Sequence, residues 1–407
     1  VLFVHQNFPA QYKHLAPALV HDGWEVKALC APPRAKARTW QGVELIGWQA
    51  QRSTTQAAHP WAHDFETKLI RAEAAAIEAE RLQRKGWQPD LIVGHPGWGE
   101  LMLLNSIWPN TPQLHYLEFH YAADGLDVGF DPEFAITHWR DQAKITAKTA
   151  NSLINLEAMD GGWSPTQFQA ATYPSWARSR IEVIHDGIDT ALVTPDPIAT
   201  FSPGPSAPTF RHGDPLLTFV SRNLEPYRGY HRLMRALPAL QRRCPGLHCV
   251  IVGSDGVSYG AAAPQGTTWK QRFYEEVQHE LDHSRIWFTG PLSYDNYLKL
   301  LQVSAAHVYF SVPFILGWSC LEAMAAGCTL IGSNTAPVQE VVKHGCNGLL
   351  VDFFDTQQLV DAVAGVLRDR AMAAKVGQQA RADVINRYDL RTRSLPQQRK
   401  LLENWLR

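Results

Sequence analysis

The feature that most constrains the fold is an alternation, run through twice, of short apolar segments with longer amphipathic ones. Val1-Leu-Phe-Val-His reads as a buried strand, residues 12–21 as a helix with Leu15, Leu19 and Val20 on one side, and residues 24–29 as a second strand. A long helix is expected over 60–85, a strand running into the loop Gly94-His-Pro-Gly-Trp-Gly-Glu100, and another strand over 113–119. Apolar strands separated by helical stretches imply βαβ units and a parallel sheet covered on both faces. Residues 195–215 then hold six prolines and few large apolar residues, which reads as an interdomain linker. Beyond it the alternation restarts. Strands are expected at 216–221, 248–253, 286–290, 307–310, 329–333 and 348–351, helices at 229–242, 269–281, 294–302 and 320–326, and amphipathic helix over the last fifty residues. The expectation is an α/β chain with two Rossmann-like domains facing a cleft. They would be an N-terminal domain over 1–195, a linker over 196–215 and a C-terminal domain over 216–385, with a last helix over 386–407 free to pack back on the first. In such folds ligands bind at the carboxyl ends of the strands.

Composition removes several function classes. Lys plus Arg (38) balances Asp plus Glu (39), so no basic field exists for binding a phosphate backbone, and no nucleic-acid partner is expected. The six cysteines are scattered without a C-x-x-C pair, the usage of a reduced cytosolic chain. The apolar stretch 308–321 carries Pro313 and Gly317 and falls short of the ~20 residues a membrane span needs. A cytoplasmic chain is expected, with peripheral contact at the inner face of a membrane left open. Gly253-Ser-Asp-Gly256 is no dinucleotide fingerprint, and neither a nucleophile elbow nor a Walker lysine occurs. His115, Glu118 and His120 make a poor ligand set, because His115 would point away from the other two on a strand; no metal is expected.

Two segments carry the chemistry. In the first, around Gly317-Trp-Ser-Cys-Leu-Glu322, a strand feeds a glycine turn and a helix opens near Trp318–Ser319, offering amides and a positive dipole end to an anion. Ser319 fits an N-cap there, and Glu322 three residues on completes a capping-box pattern. In the second, Arg222-Asn-Leu-Glu-Pro-Tyr-Arg228-Gly, two guanidiniums flank a strand-to-helix loop, where bidentate bonds can grip a diphosphate.

Together these resemble the nucleotide-binding domain of the retaining glycosyltransferases of family 4, which have the GT-B fold. The resemblance runs through Arg222…Arg228-Gly229, Val252-Gly253, Phe288-Thr-Gly290, Leu321-Glu-Ala-Met-Ala-Ala-Gly and Glu340-Val-Val…Gly345…Gly348-Leu-Leu-Val-Asp352. In the first half Phe3-Val-His-Gln-Asn-Phe-Pro and Ile184-His-Asp-Gly-Ile-Asp189 look like the matching acceptor domain. The resemblance implies an enzyme that moves a hexose from a nucleoside diphosphate sugar to a hydroxyl acceptor with retention. The acceptor would be a glycan, a lipid-linked sugar or a small metabolite, in cell-surface polysaccharide or glycoconjugate synthesis. No cofactor or metal is implied. It makes Arg222 and Arg228 the catalytic cations on the leaving diphosphate and Glu322 the ribose ligand. Gly317, Trp318, Ser319, Leu321, Gly253, Gly290 and Phe314 become further donor-side residues. Glu118 and His120 are the catalytic candidates of the first half, with His95, Gln6 and Asn7 on the acceptor side. Replacing either arginine by alanine is expected to cost transfer with little loss of stability.

The chain departs from the family at three places, one being the pair Arg222/Arg228 where the family more often has Arg/Lys. The signature Glu-x7-Glu has Phe314 where the first glutamate stands, and that glutamate normally meets the donor sugar. Pro9-Ala-Gln11 stands where the first domain usually carries Gly-Gly. Two alternatives therefore accompany the transferase reading: a nucleotide-sugar-binding pseudo-enzyme and a GT-B sugar-nucleotide epimerase.

Overall fold

The structure is a computed structural model describing residues 1–32, 38–136 and 138–406. The chain divides into two compact units, Val1–Gly187 with Arg391–Arg407, and Ile188–Leu390.

Among the described residues the first unit is built on eight strands: β1 (Leu2–Val4), β2 (Lys27–Cys30), β3 (Thr39–Trp40), β4 (Val43–Gly47), β5 (Ile92–Gly94), β6 (Gln113–Tyr116), β7 (Gly161–Ser164) and β8 (Ile181–Val183). They lie in the order β3-β4-β2-β1-β5-β6-β7-β8, parallel except for the β3–β4 pair. Side chains alternate between faces along a strand, and here both faces are apolar. Leu2, Val4, Leu29 and Ile92 pack under Ala74, Ala75 and Ala79 of the helix His63–Arg84. Val1, Phe3, Ala28 and Val93 meet Tyr12, Leu15 and Leu19 on the other side. The final helix, Leu395–Asn404, adds Leu401 and Leu402 to this second layer, and Gln398 donates to the His185 carbonyl at 3.2 Å.

The second unit carries β9 (Thr200–Phe201) and β10 (Phe210–Arg211). After them come β11 (Leu216–Asn223), β12 (His248–Ser254), β13 (Ile286–Gly290), β14 (Ala306–Tyr309), β15 (Leu330–Ser333) and β16 (Leu349–Val351). The last six form one all-parallel sheet in the order β13-β12-β11-β14-β15-β16.

The domain borders differ from the sequence expectation. The proline-rich stretch over 196–215 is no linker. β9 and β10 pair antiparallel, and Ala199, Phe201 and Phe210 sink into a cluster with Leu216, Val250, Val252 and Leu300. Three apolar side chains among the prolines were enough to recruit the segment to the second core. The border falls instead at Gly187/Ile188. Ile188 N–H donates to the Tyr388 carbonyl and Leu390 N–H to the Ile188 carbonyl, both at 2.8 Å. Arg381 also ties down the carbonyls of Thr190 (3.2 Å) and Val193 (2.9 Å). These bonds hold 188–195 and the end of the helix Arg370–Tyr388 in the second unit.

Candidate functional site

In the second unit the site grows from the end of β11. Arg222 is exposed there, while the turn Pro226–Arg228 swings Arg228 inward until it is buried. Gly229 makes that reversal possible. Its φ is +67°, and a Cβ on it would lie 2.5 Å from the Phe310 Cβ. Arg228 Nη1 donates to the Tyr309 hydroxyl (3.2 Å), Ser311 Oγ (2.8 Å) and the Ile315 carbonyl (3.0 Å). The Tyr309 hydroxyl in turn accepts from Gly317 N–H at 2.7 Å, and a Cβ built on Gly317 would stand 3.8 Å from Arg228 Nη2. Tyr309 thus couples the guanidinium to the start of the helix Trp318–Ala325. First-turn amides of a helix have no intrahelical acceptor, so the guanidinium edge and the helix start converge on space suited to an anion.

The helix opens two residues earlier than the expected Ser319 cap and 320 start, and this overturns the capping box. Gly317 is the N-cap, no side chain caps the end, and Ser319 lies inside the first turn. Glu322 is engaged elsewhere: its carboxylate accepts from the hydroxyls of Tyr294 (2.7 Å) and Tyr297 (2.9 Å). Both tyrosines stand on the helix Tyr294–Val303. Trp318 is partly exposed beside the helix start, whereas the Leu321 side chain is fully buried in the core with Met324 and Val338, where it seats the helix rather than facing a ligand. Gly253 lets β12 pass close to β11, since a Cβ there would be 2.8 Å from the Ser221 carbonyl oxygen; Gly290 has open space around it.

Phe314 is buried, its ring 5.5 Å from Tyr227 and 4.9 Å from Tyr259, and Arg228 lies 5.9 Å over it. Sequence reasoning passed over Glu225, although it stands inside the arginine motif. Its buried carboxylate accepts from the backbone N–H of Ser258 (3.1 Å), Tyr259 (3.3 Å) and Gly260 (3.2 Å). The positions of Tyr309, Tyr294 and Tyr297 were also unmarked, because a tyrosine in a strand or helix looks the same whether it packs or bonds.

In the first unit His5 and His95 directly follow β1 and β5, and β6 ends in Tyr116, which donates to Asp186 (2.9 Å), before leading on to Glu118. His95 Nδ1 accepts from Gly97 N–H at 3.0 Å, which leaves its proton on Nε2, 3.5 Å from Glu118 Oε2. His5 is fixed the same way by Asn7 N–H at 2.9 Å. Gln6 is half-buried, its carbonyl accepting from Ala31 N–H, and the Asn7 side is exposed. β6 stops at Tyr116, so Glu118 and His120 lie beyond the strand, and strand alternation does not place them on one face. Glu118 meets His95, whereas His120 Nδ1 bonds Ser152 Oγ at 2.9 Å, and burial lowers its pKa. His115 is buried and pushed down to about 3 by desolvation. The Glu100 carboxyl, also fully buried, is raised to about 7 by the same cause.

Two parallel-sheet α/β units, the second with a buried guanidinium beside a helix start, have the layout of the GT-B fold. Comparison with known proteins agrees. Residues 22–193 match the family described as glycosyl transferase family 4 group, and residues 206–383 match glycosyl transferases group 1. The chain belongs to the family 4-type GT-B glycosyltransferases. It is 29% identical over 235 residues to a GDP-mannose-dependent alpha-(1-6)-phosphatidylinositol monomannoside mannosyltransferase of Mycobacterium tuberculosis, covering 54% of each chain. It is also 31% identical over 210 residues to a D-inositol 3-phosphate glycosyltransferase of Nocardia farcinica, covering 50% of this chain and 43% of that one. The chain thus spans about half the length of the curated relatives it matches. Among solved structures, Anabaena HepE in complex with UDP and glucose superposes with a TM-score of 0.69 at 16% identity, over 99% of both chains. Sucrose-phosphate synthase of Thermosynechococcus elongatus does so at 0.70 and 20%, over 99% of this chain and 98% of that one; at these identities the likeness is one of fold. Among the described residues no helix is long and apolar enough to cross a membrane.

Proposed function

We propose that the chain transfers a hexose, with retention, from a nucleoside diphosphate sugar to a hydroxyl acceptor in glycan or glycoconjugate synthesis, and that it uses no metal. The observation that carries this reading is the junction of Arg228, Tyr309 and the start of the helix Trp318–Ala325. The diphosphate sits against the Arg228 Nη2 edge and the first-turn amides, with Arg222 closing on it from the end of β11. These fixed charges stabilise the negative charge that develops on the leaving nucleotide, which is electrostatic catalysis of the departure. Glu322, held by two tyrosine hydroxyls, keeps its carboxylate ready to accept from ribose hydroxyls. The His95–Glu118 pair and His120 serve the acceptor side of the first unit. The matched relatives include one named for GDP-mannose, and one similar fold was solved with UDP and glucose, so both bases belong in the test.

The test is thermal unfolding with UDP, GDP, ADP, CDP and dTDP, with and without magnesium. A ligand at 100 times its Kd adds about 2.7 kcal/mol to stability. One nucleotide should stand out without magnesium, and its sugar conjugate should then give an axial or equatorial product matching the donor's own anomer by NMR. Phe314 favours one rival, a binding protein without turnover, because no carboxylate stands at that position. Donor consumption at any measurable rate removes it.

A further inference from the structure

We infer that Glu225 is a positioning residue for Arg228, acting through the loop it straps and through Tyr259 in particular. The inference rests on the reading that Arg228 meets the anionic part of the donor. The loop after β12 has no strand or helix to hold it between Asp255 and Thr268. Its backbone is instead tied at three successive N–H groups to one carboxylate, Glu225 Oε1 and Oε2, and Asn223 Nδ2 adds a bond to Ser258 Oγ at 2.6 Å. Glu225 is itself buried to 1% exposure, so these amides are what satisfies it. A carboxylate accepting several backbone N–H groups makes charge-assisted bonds, roughly twice as strong as neutral ones.

The strap has a geometric result. It puts the Tyr259 ring 5.5 Å from the Arg228 guanidinium carbon and 4.9 Å from Phe314, with the Tyr227 ring 6.4 Å from it. Gly260 fits this arrangement closely, since a Cβ there would be 3.0 Å from Tyr227 Cδ2. Arg228 is therefore enclosed by aromatic faces and spends Nη1 on three protein acceptors, which points its remaining edge toward Gly317. Aromatic faces attract a cation and keep water from it, and both effects strengthen its bond to an incoming anion. Glu225 lies three residues from Arg222 and three from Arg228 in sequence, yet its work is done on a loop more than thirty residues downstream.

A double-mutant cycle on nucleotide affinity tests this with the full chain and the nucleotide chosen by the thermal screen. Glu225→Ala and Tyr259→Ala should each weaken binding about tenfold, the equivalent of about 1.4 kcal/mol, and the double variant should weaken it no further than the worse single one. Tyr259→Phe, which keeps the ring, should bind like wild type. Should Glu225→Ala fail to fold, Gly260→Ala perturbs the same strapped turn by crowding Tyr227 and enters the cycle instead. Additive losses in the cycle, or wild-type affinity in Tyr259→Ala, would overturn the inference. Arg228→Ala, measured alongside, reads the donor assignment itself. If it binds like wild type, the anion assignment falls whatever the cycle gives; if it loses binding while the cycle is additive, the assignment stands and the strap falls.

Discussion

The two arginines of the sequence motif should separate cleanly under alanine substitution, because the fold gives them different surroundings. Arg222 is exposed at the end of β11, and removing its side chain should move stability by no more than about 0.5 kcal/mol. Arg228→Ala is another matter, and the expectation of little stability loss does not survive the structure for this residue. The substitution deletes a buried guanidinium that satisfies the Tyr309 hydroxyl, Ser311 Oγ and the Ile315 carbonyl. Tyr309 keeps its bond from Gly317 and Ser311 its bond to the Val312 carbonyl, so each retains a partner. The Ile315 carbonyl is left to an emptied, water-poor space. An orphaned buried acceptor costs about 1–3 kcal/mol, and the lost charge-assisted bonds and packing bring the whole to about 3 kcal/mol. For a unit of about 200 residues that is a fall in Tm of about 6–12 °C. The assay is thermal unfolding of wild type, Arg222→Ala and Arg228→Ala without and with the preferred nucleotide. Arg222→Ala should melt like wild type alone and lose most of the nucleotide-dependent rise. Arg228→Ala should melt low under both conditions. An Arg228→Ala protein that melts with wild type would refute the argument from burial, and an Arg222→Ala protein with the full nucleotide rise would refute the diphosphate assignment.

Removing one hydroxyl from Glu322 by Tyr297→Phe should weaken nucleotide binding severalfold with the fold intact, and Tyr294→Phe should do so less, its hydroxyl being nearer solvent; isothermal titration measures both, and unchanged affinities would detach Glu322 from the ligand. Stability should fall as pH drops from 7 to 5. His115, His185 and His307 are held well below the unfolded value of 6.5, at about 3, 4 and 4, by burial. The unfolded chain therefore takes up protons first, and each imidazole withdraws about 2 kcal/mol at pH 5. Glu100, raised to about 7, works the opposite way over that range, but one carboxyl does not offset three imidazoles. Unfolding midpoints that stay level or rise between pH 7 and 5 would contradict this. Two glycines of equal backbone strain separate crowding from conformation: Gly290→Ala, at φ +67° in open space, should cost about 1 kcal/mol, and Gly229→Ala, at the same φ but against Phe310, appreciably more. Equal denaturation midpoints for the two would show that the close approach to Phe310 relaxes freely.

Most of the sheet architecture was legible because a buried parallel strand has a near-continuous apolar code, as in 216–221 and 248–253. Of the strands missed in the two larger sheets, β3, β7 and β8 are ones this code does not mark, and in β4 the exposed Glu44 interrupts the apolar run. Gly161-Gly-Trp-Ser is buried yet half glycine, and Ile181–Val183 and Thr39–Trp40 are short segments at the outer edges of the sheet. The linker reading failed for a related reason. Proline density signals an absence of helix and central strand, but it says nothing about whether Ala199, Phe201 and Phe210 find a core to enter.

The site divides along the same line between what chemistry marks and what only geometry reveals. Arginines and a glutamate at helix-start spacing announce themselves, since no packing role requires them. Their supports do not. Tyr309 reads as one more apolar strand residue until its hydroxyl is seen between Arg228 and Gly317, and Glu225 reads as a solvated acid until its carboxylate is found holding three amides. The substitution at Phe314 shows the consequence. From sequence alone it is a lost carboxylate and a weakened sugar site. In the fold it is one wall of an aromatic enclosure with Tyr259 and Tyr309 around a guanidinium. A glutamate placed there by Phe314→Glu would be buried 5–6 Å from Arg228 and would draw the guanidinium toward itself, away from the Gly317 edge. The fold thus sets an aromatic wall beside Arg228 at the position where the family signature has a carboxylate.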